Sequence, residues 1–151
     1  MTPTILTIDG SSTVGVPGIA LGRIASLQHI DDAMIREEIE VALQTTITEG
    51  FEFNHEHSWS NHSLYHGDCG NLETVLLATC RLDTGKYREH LEHLTAQLLG
   101  SIGMHGWSMG VPLNVETPGL MMGLSGIGYE LLRLAEPERV PSVLLLAPPV
   151  V

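Results

Sequence analysis

Two kinds of helical pattern alternate along this chain. Ile19-Ala-Leu-Gly-Arg-Ile-Ala-Ser-Leu27 is apolar on nearly every side, the pattern of a helix surrounded by others. The next stretch places Ile35, Ile39, Leu43 and Ile47 on one face among Arg36, Glu37, Glu38 and Glu40, and Asp31-Asp32 stand ready to cap it. The same order returns: Leu72-Glu-Thr-Val-Leu-Leu-Ala-Thr-Cys80 is largely apolar, Asp83-Thr-Gly-Lys86 breaks the chain, and Tyr87, Leu91, Leu94 and Leu98 carry a one-faced helix to the region of Gly100 and Gly103. A last apolar stretch, Ile127-Gly-Tyr-Glu-Leu-Leu-Arg-Leu-Ala135, stops before Pro137 and Pro141. Val143-Leu-Leu-Leu146 is too short for another helix and reads as a short extended tail. The pattern predicts an all-α fold of about five helices, three inner and two outer, as one unit over residues 1–151.

A phrase opens each inner helix: Gly15-Val-Pro-Gly18-Ile19, Gly67-Asp-Cys-Gly70-Asn71 and Gly123-Leu-Ser-Gly126-Ile127. The first glycines lie 52 and 56 residues apart (67 − 15 and 123 − 67). A turn of this kind at a period near fifty marks stacked helical hairpins, each burying its apolar face on its neighbour. The loops 49–67 and 103–123 should then meet at one end of the inner helices, where a site would form.

Composition narrows the partners. Hydrophobic residues make up 43% of the chain and charged ones 17%, which suffices for a buried core. Eighteen acidic against seven basic residues, a net charge of −11, argue against nucleic acid or an anionic membrane surface as a partner. The first nine residues lack the basic and apolar segments of a secretory signal, and no apolar run reaches membrane-spanning length. Cys69 and Cys80 are too few for a disulfide framework, so free thiols in a cytoplasmic setting are expected.

Two longer phrases, Asn61-His-Ser-Leu-Tyr-His-Gly-Asp-Cys-Gly-Asn71 and Val115-Glu-Thr-Pro-Gly-Leu-Met-Met-Gly-Leu-Ser-Gly-Ile-Gly-Tyr-Glu-Leu-Leu-Arg-Leu-Ala135, together with Glu138-Arg-Val-Pro-Ser-Val-Leu-Leu-Leu146, resemble the lanthionine synthetase C-like family. The resemblance is closest to the C-terminal part of the cyclase domain of class II lanthipeptide synthetases. It implies a partial α/α toroid and, in the family, a zinc ion at one end of the ring. That zinc binds a substrate cysteine, whose thiolate adds to dehydroalanine or dehydrobutyrine to close a thioether ring. Zinc favours thiolate over thiol at neutral pH, and a site with three protein ligands leaves a fourth position for substrate.

The chain departs from the family at the ligands. Ser11-Ser-Thr-Val-Gly-Val-Pro-Gly-Ile19 matches a phrase whose cysteine is the first ligand, so Thr13 stands in its place. The Cys-His pair that supplies the other two reads Tyr65-His66 here. Of the three ligands only His66 is kept, and neither Thr nor Tyr is a usual zinc ligand. Zinc is therefore expected to be absent or weakly bound, no catalytic residue is assigned, and the family's dehydratase portion is not represented. Two readings stay open, beside that of a remnant with no selected function. One is a truncated, degenerate cyclase domain that is inactive alone, with a precursor peptide or an upstream part of the synthetase as partner. The other is a non-catalytic helical module that binds a peptide or a partner, or self-associates, through helix faces that an incomplete ring leaves uncovered.

Other candidates have plainer explanations. Cys69 lies at His-x-x-Cys spacing from His66, but a buried thiol is the commoner role. His55, His57, His62 and His66 allow a replacement metal site or a pH-sensitive loop, against the simpler reading of solvated histidines. His90 and His93, beside Glu89 and Glu92, suit an exposed polar face. Glu116 has no identified partner for acid–base work, Gly126-Ile-Gly128 lacks a dinucleotide fingerprint, and Met121 and Met122 read as packing.

Overall fold

A computed structural model describes residues 15–51, 53, 61–82 and 85–148. It is all-helical, with α1 (Val16–Ser26), α2 (Ala33–Glu49), α3 (Asp68–Arg81), α4 (Arg88–His105) and α5 (Leu124–Ala135), a 3-10 turn at Pro112–Asn114, and no strand among the described residues. Local chemistry sets the boundaries. Pro17 sits in the first turn of α1, where its missing N–H costs nothing. The Asp32 carboxylate accepts the Ile35 N–H at 2.9 Å and caps α2, as its sequence predicts. Gly106, at φ 78°, ends α4 in a conformation that favours glycine.

The inner helices stand in a row, α1 against α3 and α3 against α5, while α2 packs on α1 and α3 and α4 packs on α3. This is a partial α/α toroid of three inner and two outer helices. Position in the row decides burial. Central α3 is covered along most of its length, including Leu72, Val75, Leu77 and Ala78. The flanking helices are not: Ile19 on α1 is 53% exposed and Leu132 on α5 is 62% exposed. The all-round apolar pattern of α1 therefore does not mean all-round burial, because only α2 and α3 pack against it among the described helices.

Polar contacts fix the helices against one another. Tyr87, just before α4, donates its hydroxyl to Glu40 of α2 at 2.7 Å, and Lys86 pairs with the same carboxylate. Between α3 and α5, Arg133 meets Glu73 at 2.6 Å with both side chains almost fully buried. Arg133 also donates to the carbonyls of Val140 and Pro137, at 2.5 and 3.4 Å. Glu130 lies one turn from Arg133 in the same interface, with neither carboxylate oxygen bonded among the described residues. Burial, and then the Glu73 carboxylate, push its pKa well above the usual range, against the opposing pull of Arg133.

Residues 143–146 are not the extended tail that their length predicts. They form a turn, with Leu146 N–H on the Val143 carbonyl at 3.1 Å and Ala147 N–H on that of Ser142 at 2.9 Å. Folding back lets Val143, Leu144 and Leu145 pack on the core, and the Tyr129 hydroxyl holds the Pro141 carbonyl at 2.7 Å. No helix among the described residues is long and apolar enough to cross a membrane.

Candidate functional site

The second and third glycine turns have the same backbone. Gly67 N–H reaches the Ser63 carbonyl and Gly123 N–H that of Gly119; Asp68 N–H reaches Asn61 and Leu124 N–H reaches Thr117. Each acceptor in the third turn lies 56 residues beyond its counterpart. The glycines are required by close approach. A Cβ on Gly67 would fall on Asn61 and one on Gly70 on the Leu64 carbonyl; on Gly123 and Gly126 it would fall on the carbonyls of Thr117 and Leu120. At Gly15 and Gly18 no described residue comes within 4 Å of a built Cβ.

The two long loops do meet. His62 N–H donates to the Ser108 carbonyl at 2.9 Å and Tyr65 N–H to that of Met121 at 2.9 Å, while Gly110 N–H to the Met122 carbonyl at 2.8 Å closes the second loop on itself. Asn114, at φ 48°, braces the second loop by accepting the Met109 N–H at 2.6 Å and donating to the Trp107 carbonyl. Beside this junction opens a cleft of about 560 Å³, bounded by the start of α1, the end of α2, the loop before α3 and the C-terminal turn. Gly18, Phe51, Tyr65, His66, Met121 and Leu144 all line it, so the first two glycine turns and the loop before the third share one cleft.

Tyr65 and His66 stand together here, their rings 5.5 Å apart and edge-on, Tyr65 being 66% exposed and His66 half-buried. The Asn61 amide nitrogen lies 3.2 Å from His66 Nδ1, and its oxygen accepts the Ser63 N–H at 2.9 Å. Gly110 lies against the His66 ring, where a Cβ would crowd Cε1. Thr13, His55 and His57 lie outside the described residues.

His62 is no solvated loop histidine. It is fully buried, and its Nδ1 accepts the Ser108 N–H at 3.1 Å, which leaves Nε2 to donate to Ser101 Oγ at 3.1 Å. Ser101 in turn donates to the Phe53 carbonyl. The ring thereby joins both loops to α4 and does not line the cleft. Met121 corrects another expectation: it is 39% exposed and lines the cleft instead of packing inside. Leu120 and Leu124 beside it are likewise partly exposed. His90, His93 and Glu116 are exposed, and Cys80 is exposed and free.

The donor set can be tested against zinc. Cys69, the thiol nearest His66 in sequence, is free and fully buried in the core. Burial first, and then the carboxylates of Glu130 and Asp68, hold its pKa well above the usual thiol value, so it stays protonated. Among the described residues no three His, Cys, Asp or Glu side chains converge as metal ligands. A phenol beside one imidazole does not fit a zinc centre.

Stacked hairpins, glycine turns at a common end and a cleft beside them define a toroid-type helical protein. A model of the lanthionine synthetase C-like protein family matches residues 14–145, and the chain belongs to that family. No curated protein and no solved structure matches it. Asn61, Gly110 and the Glu73–Glu130–Arg133 group escape the sequence reading. Asn61, Glu130 and Arg133 left a trace only as members of the phrases that carry the family resemblance.

Proposed function

We propose that this chain is the C-terminal part of a class II lanthipeptide cyclase domain whose zinc centre is degenerate, so that it does not close thioether rings by itself. The observation that carries this reading is the pairing of a kept scaffold with changed ligands: the second and third glycine turns have equivalent hydrogen bonds at Gly67 and Asp68 and at Gly123 and Leu124, while Tyr65 and His66 line the cleft where the family places Cys-His. The cleft then remains as a place for a cysteine-containing precursor peptide, its apolar walls supplied by Phe51, Leu144 and Met121.

Incubation with a dehydrated, cysteine-containing peptide tests this. Ring closure leaves mass unchanged, so alkylation of remaining thiols followed by mass measurement is the readout. Full alkylation, at the level of the uncatalysed control, is expected; protection of thiols above that control contradicts the proposal. A second reading, a module that docks an upstream synthetase portion or another copy, is favoured by the uncovered flank of α5 at Leu124 and Leu132. Light scattering tests self-association, and a strictly monomeric protein at high concentration counts against that arm.

A further inference from the structure

We infer that Asn61 is a positioning residue that fixes the tautomer of His66, so that the imidazole offers the cleft an N–H donor at Nε2 instead of a lone pair for a metal. The Ser63 backbone N–H can only donate, so the Asn61 atom it meets at 2.9 Å is the carboxamide oxygen. The other amide atom, 3.2 Å from His66 Nδ1, is therefore the NH2 group, which also can only donate. Nδ1 must then be the unprotonated nitrogen, and in a neutral ring the proton sits on Nε2. Nε2 has no partner among the described residues, and the ring borders the cleft.

The arrangement is over-determined. Asn61 is buried, and Gly67 leaves room for both its carbonyl and its side chain, while Gly110 lies against Cε1 of the imidazole. Metal-binding histidines commonly have the opposite arrangement, with the second nitrogen donating to a carboxylate or carbonyl so that the first keeps its lone pair for the ion. Here the outer residue donates, and the ring is set to hydrogen-bond an acceptor such as a peptide carbonyl. Only that choice of ligand rests on the peptide-binding reading of the cleft; the tautomer stands or falls independently.

Long-range proton–nitrogen correlation spectra of the 15N-labelled full chain test it, with His66 assigned by its loss in His66→Gln. The wild type should show the Nε2–H tautomer; an Nδ1–H tautomer or an imidazolium at pH 7.5 overturns the inference. Asn61→Asp keeps the acceptor for Ser63 and removes the donor, so Nδ1 should become protonated and Co(II) affinity should rise roughly tenfold. A folded Asn61→Asp protein that retains the Nε2–H tautomer, or binds Co(II) no better than wild type, also overturns it. If that variant does not fold, the wild-type spectrum alone decides.

Discussion

The loops before α3 and α5 follow one backbone path with different side chains. Asn61, Tyr65 and His66 in the first correspond to Thr117, Met121 and Met122 in the second, 56 residues on, and the hydrogen bonds of the Gly67 and Asp68 N–H groups match those of Gly123 and Leu124, whereas Gly70 N–H meets the Ser63 carbonyl and Gly126 N–H that of Gly123. The glycines thus specify the turn, and the two residues before each first glycine specify the chemistry. One scaffold can therefore carry a phenol and an imidazole before one glycine and two thioethers before the next.

The strongest way to break the correspondence is to release α5 from α3. Arg133→Leu strands the buried Glu73 charge and should cost about 3–5 kcal/mol in urea unfolding. A loss below 1 kcal/mol would mean that the pair does not hold the two turns in place. Next come the glycines themselves. Gly70→Ala and Gly126→Ala each force a Cβ onto a backbone carbonyl, and each should destabilise by about 3 kcal/mol. Clearly unequal losses would show that the two turns differ in solution.

A pH series sharpens the contrast between the paired and unpaired carboxylates of the α3–α5 interface. Glu130 has a folded pKa raised above its unfolded value, so the native state holds the extra proton and stability falls as pH rises from about 4.5 toward that folded value. The decline can approach about 1.4 kcal/mol per pH unit at its steepest. Glu130→Gln should flatten it, as read from urea midpoints at several pH values; an unchanged slope places the proton elsewhere. The smallest effect is expected two residues from Gly126. Gly128 has open space where a Cβ would go, so Gly128→Ala should be neutral or stabilising by up to about 1 kcal/mol.

Much of the fold was legible because its signals are local. Helix periodicity, the Asp32 cap and the repeated glycine phrase all act within a few residues, and each predicted helix is present. The exposed flanks of α1 and α5 were not legible, since exposure depends on which neighbour stands beside a helix rather than on its own pattern. The Glu73–Arg133 pair spans sixty residues, and Glu130 looks like an ordinary charge on an amphipathic helix. At the site, Tyr65 and His66 were visible through the family phrase, whereas the role of Asn61 depends on a turn that brings its amide onto a ring five residues away. His62 carried no sign of burial, because its partners Ser101 and Ser108 come from another helix and another loop.

The central claim is that the scaffold persists while the metal centre does not, and metal analysis of the purified full chain tests it most directly. The account predicts far less than one zinc per chain in the wild-type protein, with the same content in His66→Ala. Near-stoichiometric zinc that disappears on that substitution would contradict it.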